Sequence, residues 1–65
     1  MINFDEITEE IHALFQTENG ATISKNAGVP YQTVQDLRNG KSKLENARFH
    51  TIRSLYEYAK VRLND

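Results

Sequence analysis

Three glycines cut this chain into four stretches, at Asn19-Gly20, Ala27-Gly28 and Asn39-Gly40. Within each stretch the apolar residues recur three and four positions apart, the spacing of one helix face. No run of four or more residues alternates between apolar and polar side chains, so a sheet is not expected. The pattern reads as four helices separated by turns, all in one domain spanning residues 1–65. The first helix covers about Phe4 to Glu18, with Phe4, Ile7, Ile11, Leu14 and Phe15 on its apolar face. Asn3 is its expected N-cap, and Asp5 and Glu6 place negative charge in the first turn, where the helix dipole favours it. The second helix covers about Gly20 to Ala27; Asn19 caps it, Ile23 and Ala27 face inward, and Gly28 stops it. The third starts at Pro30 or Tyr31, buries Val34 and Leu37, and ends at Asn39-Gly40. Lys41-Ser42-Lys43 forms a polar loop, with Leu44 as an apolar plug behind it. The fourth helix covers about Ala47 to Leu63, with Phe49, Ile52, Leu55, Tyr56, Ala59 and Leu63 on the buried face.

A chain of 65 residues buries only about 60% of the surface its unfolded form exposes, so its core is small. Association with a second copy is one way such domains gain stability. Cysteine is absent, which removes disulfides and thiolate metal sites. His12 and His50 have no partner at ligand spacing, so no metal or other cofactor is expected. Serine, histidine and aspartate all occur, but no nucleophile is set beside an oriented base, and the chain leaves little room for a substrate pocket. The reading is not an enzyme. No apolar run is long enough for a membrane span or signal-peptide core, so a cytoplasmic, nucleoid-associated protein is expected.

The net charge of −1 hides an uneven distribution. Residues 1–18 carry Asp5, Glu6, Glu9, Glu10 and Glu18 and no lysine or arginine. Residues 19–65 carry all eight basic residues, Lys25, Arg38, Lys41, Lys43, Arg48, Arg53, Lys60 and Arg62, against Asp36, Glu45, Glu57 and Asp65. Such asymmetry points to a polyanion on one side of the fold.

The most informative stretch runs from Ile23 to Lys41. A helix-turn-helix needs two short helices meeting at a steep angle through a turn of three or four residues. Ser24 is small enough, midway along the first helix, to admit the second. Gly28 opens the turn, Val29 follows it into the core, and Val34 and Leu37 anchor the second helix. The remaining face of that helix carries Gln32, Gln35, Asp36 and Asn39 at i, i+3, i+4 and i+7, flanked by Thr33. A solvated face would favour lysine and glutamate. Amides and hydroxyls instead donate to and accept from base edges; glutamine pairs bidentately with adenine, and a threonine methyl meets thymine.

The segment Ala27-Gly28-Val29-Pro30-Tyr31-Gln32-Thr33-Val34, with the closing Leu37-Arg38-Asn39-Gly40-Lys41, resembles the lambda-repressor-like (Cro/XRE-type) helix-turn-helix family of bacterial and phage regulators. The resemblance covers residues 4–60. It implies a compact all-α domain of four or five helices, with Tyr31–Asn39 as the recognition helix in the major groove of double-stranded DNA. It places Tyr31, Gln32, Thr33, Gln35 and Asp36 at base-reading or groove-wall positions, and Asn39, Lys41 and Lys43 in the loop that touches the phosphate backbone. Arg48 and Lys25 are further candidates for phosphates. The chain departs from the family pattern at Gly20, where glutamine is common, and at Ser24, where alanine is common. The family's fifth helix is expected to be absent or fused into the fourth. Tyr58, Val61 and Arg62 lie off the core stripe and form a candidate homodimer surface. A competing use of the same scaffold is a protein-interaction module, such as an antitoxin, inhibitor or anti-repressor, docking a basic protein on Asp5, Glu6, Glu9 and Glu10.

Overall fold

A computed structural model describes residues 3–63. Four α-helices and one 3-10 turn follow in chain order: α1 (Phe4–Thr17), α2 (Gly20–Ala27), α3 (Tyr31–Arg38), the 3-10 turn (Leu44–Asn46) and α4 (Phe49–Leu63). No strand is present among the described residues, and no helix there is long and apolar enough to cross a membrane.

The first two helices begin on asparagine side chains. Asn3 Oδ1 accepts the Glu6 N–H at 2.8 Å, and Asn19 Oδ1 accepts the Thr22 N–H at 2.8 Å. Each bond satisfies one of the four amides that a helix start leaves without a partner. α3 ends on Gly40, whose φ of 79° lies in the left-handed region. Beyond it the Lys41 N–H returns to the Asp36 carbonyl at 2.9 Å, closing a Schellman motif.

α1 packs against α4, α2 packs against α3, and α2 also rests on α4. Ile11, Leu14, Ile23, Val34 and Leu55 are fully enclosed, and Phe15, Val29, Leu37, Leu44 and Ala59 complete the core. Leu44 arrives as the expected plug, carried by the 3-10 turn.

Four expectations are corrected. α4 starts at Phe49 rather than Ala47. Ala47 is extended, and its N–H closes the 3-10 turn on the Leu44 carbonyl at 3.0 Å, so its backbone does not enter a helix. Phe49, assigned by its spacing to the buried face, is 78% exposed. It stands in the first turn of α4, and the α4 residues that reach the core are Ile52, Leu55, Tyr56, Tyr58, Ala59 and Leu63. Leu44 already closes that end of the core. Phe4 is likewise exposed at the start of α1.

The fourth correction concerns Tyr58, which packs against the core instead of standing off it. Its hydroxyl donates to Glu18 Oε1 at 2.5 Å and accepts from Asn26 Nδ2 at 3.0 Å. Arg62 Nε pairs with the other oxygen of Glu18. The Glu18 side chain is only 9% exposed, so this network ties the α1–α2 junction to α2 and to the end of α4. Tyr58 and Arg62 are thus engaged with Glu18 within one chain, while the Arg62 side chain, 47% exposed, and Val61, 60% exposed, remain at the surface.

The Tyr58 hydroxyl, and then the Arg62 guanidinium, hold the Glu18 carboxyl below the usual carboxylate range. Burial, and then the Glu18 carboxylate, push the Tyr58 phenol above its usual value. A depressed carboxyl stabilises the fold above its unfolded value of about 4.3, and the contribution is lost as pH falls through the folded value. A raised phenol stabilises the fold below about 10 and loses that contribution as pH rises through its folded value. Glu18→Gln is accordingly expected to melt at a lower temperature than the wild type at pH 7, with the gap closing below about pH 4. Thermal melts from pH 3 to 7 check this; a gap independent of pH would show that the charge on Glu18 contributes nothing.

Candidate nucleic-acid interface

The interface begins at the corner between α2 and α3. Gly28 leaves α2 with φ 74°, a conformation in which a side chain is strained. Val29 then enters the core, and Pro30, with φ −53° and extended ψ, stands as the N-cap of α3 rather than in its first turn. The Ser24 hydroxyl donates to the Val29 carbonyl at 2.6 Å, joining the middle of α2 to the turn. Serine at this position thus serves as both a small residue and a clasp. Val34 and Leu37 bury the inner side of α3 against the core.

The outer side of α3 faces solvent. Tyr31 and Gln32 are exposed, Thr33, Gln35 and Asp36 are half-buried, and Asn39 is exposed just beyond the helix end. No polar side-chain atom is buried without a hydrogen-bond partner among the described residues. Gln32 Nε2 donates to Asp36 Oδ1 at 2.9 Å, one turn along.

Gln35 behaves differently from the other polar residues of this face. A side chain on Gly20 would overlap the Gln35 amide, so the glutamine lies folded over the start of α2. The same imagined Cβ would sit 3.5 Å from the Tyr31 ring, which flanks Gly20 while remaining 51% exposed. Arg38 Nη1 stands 3.5 Å from Gln35 Oε1, and Arg38 Nε and Nη2 donate to the Phe15 carbonyl at 3.3 and 3.1 Å. That carbonyl belongs to the last turn of α1, where carbonyls lack helical partners and attract cations. Gly20 therefore gives room to Gln35, and Arg38 joins α3 to the end of α1.

Beside α3 runs an open groove. Pro30, Thr33, Lys41, Lys43 and Arg48 are among the residues that line it. No carboxylate lines it. The structure thus brings together Thr33, Lys41, Lys43 and Arg48 from the sequence-derived set, while Lys25 sits outside this groove in the last turn of α2. The groove also includes Asn46, His50 and Thr51, which the sequence reading did not select. In the sequence His50 has no metal-ligand partner; its place two residues after Arg48, at the start of a helix, is the signal for its position here. Among the described residues no cluster of three histidine, cysteine or acidic side chains could hold a metal ion.

Comparison of the chain with protein-family models, curated proteins and solved structures returned no match.

Ser24→Ala removes the clasp and leaves the Val29 carbonyl without that donor, at a cost of about 1 kcal/mol. A domain this small should then melt about 4–8 °C lower. Thermal unfolding followed by circular dichroism checks this; an unchanged midpoint would show that apolar packing alone holds the corner.

Proposed function

We propose that this protein is a sequence-specific double-stranded DNA-binding transcriptional regulator, built on a lambda-repressor-like (Cro/XRE-type) helix-turn-helix formed by α2, the turn and α3. The observation that carries the proposal is the pairing of an outward amide- and hydroxyl-bearing helix face with an adjacent groove that holds cations and no carboxylate. The eight residues of α3 make a rod about 12 Å long and, with its side chains, about 10–12 Å across, a diameter that a major groove about 12 Å wide admits. Gln32, Thr33 and Asp36 then read base edges, with Tyr31 against the groove wall and Gln35 held back at the α2 end. Asn39, Lys41, Lys43 and Arg48 hold one sugar-phosphate strand, and Lys25 meets a phosphate further out. Phosphate contacts supply affinity that falls with salt, and base contacts supply discrimination.

The simplest regulator of this design is a repressor acting as a homodimer on a palindromic operator, its two recognition helices about 34 Å apart. Val61, exposed on α4, is an apolar residue available to such a contact.

The division of labour is testable by gel shift across salt concentrations. Gln32→Ala is expected to reduce the preference among operator variants by about 1–3 kcal/mol. Lys41→Ala is expected to weaken all duplexes alike and to lower the magnitude of the salt slope by about one. Equal losses for both variants on cognate and random DNA would overturn the assignment.

A further inference from the structure

We infer that Asp36 determines specificity in this interface: it fixes the Gln32 amide in the orientation that reads adenine, and it demands an exocyclic amine, from adenine or cytosine, on a neighbouring base. The inference rests on the DNA-binding reading above.

A carboxylate only accepts hydrogen bonds, so the amide group facing it must be the nitrogen. Gln32 Nε2 is 2.9 Å from Asp36 Oδ1, and this bond uses one of its two hydrogens. The second N–H and the carbonyl oxygen of this exposed side chain stay open. One donor and one acceptor side by side match the N7 acceptor and N6 amine of adenine. An unclamped glutamine can turn its amide over and meet other edges. Asp36 removes that freedom.

The other oxygen of Asp36 receives no hydrogen bond, and no lysine or arginine pairs with the carboxylate among the described residues. Its position is half-buried on the outer side of α3. A base that offers only acceptors at its outer edge, O6 of guanine or O4 of thymine, would be repelled there; N4 of cytosine or N6 of adenine would donate. Gln35 cannot relax this demand, because its amide is folded over Gly20 and neighbours Arg38. Gln32 and Asp36 are four residues apart, a rise of about 6 Å, which spans one to two base-pair steps of about 3.4 Å.

Binding-site selection from a random duplex pool at moderate salt, with wild-type protein and Asp36→Asn, tests the inference. Thermal melts first establish that both proteins fold. Wild-type sites are expected to carry adenine at one position and adenine or cytosine one or two steps away, with guanine and thymine disfavoured there at least about fivefold. Asparagine can donate as well as accept, so Asp36→Asn is expected to admit guanine and thymine at the second position and to weaken the adenine preference at the first. Its overall affinity should rise, since a like charge leaves the phosphate surface. Identical site sets for the two proteins, or wild-type sites indifferent between amine and carbonyl bases, would overturn the inference while leaving DNA binding intact. Failure of the wild-type protein to retain any duplex, even at low salt, would overturn the DNA-binding reading and this inference with it.

Discussion

The rest of the structure depends on the reversal between α2 and α3. Three residues, Gly28, Val29 and Pro30, turn the chain, and each does a different task. Gly28 adopts a backbone conformation that strains other residues, Val29 drops into the core, and Pro30 sets the backbone entering α3. The Ser24 hydroxyl then fastens the turn to α2. Ile23, Val34 and Leu37 close the corner from inside. An eight-residue helix such as α3 has little stability of its own, since isolated helices below about 12–15 residues are marginal in water. The position of α3 is therefore a property of this corner and of Arg38's hold on the end of α1.

This arrangement leaves the outer face of α3 with little structural duty. Val34 and Leu37 supply its burial, and Gln35 and Arg38 supply its lateral ties. Gln32, Thr33 and Asp36 remain for a partner. Charge follows the same separation. The carboxylate of Glu18 is spent inside the fold on Tyr58 and Arg62. Glu6, Glu9 and Glu10 share another shallow groove, with Tyr56 and Lys60. No carboxylate lines the groove beside α3, although Lys43 also borders the depression that holds Asp5 and Glu45, so a chain with net charge −1 still offers one cationic groove.

Much of this was legible in the sequence because it is local. Asn3, Asn19, Gly28 and Gly40 act within a few residues of themselves, and helix periodicity exposes most of the core directly. What was hidden depends on distance in the chain. Phe49 has core spacing, yet whether its turn is covered depends on Leu44 and the 3-10 turn ahead of it. Tyr58 lies off the apolar stripe of α4, and only the approach of Glu18 and Asn26, 40 and 32 residues away, makes it a half-buried, tethered residue. Gln35 belongs to the polar face by register, but the missing side chain at Gly20 gives it somewhere else to lie. In the candidate interface, the cations at 41, 43 and 48 were readable from composition, whereas Asn46, His50 and Thr51 join them only through folding.

The central claim is that one surface, the outer side of α3 with the groove beside it, meets duplex DNA. Amide chemical shifts recorded while a short duplex is titrated into the labelled protein test it most directly. The account predicts perturbations concentrated at residues 31–36, 39–43 and 46–51, with α1 unmoved. Perturbations centred on Glu6, Glu9 and Glu10, or none at low ionic strength, would contradict it.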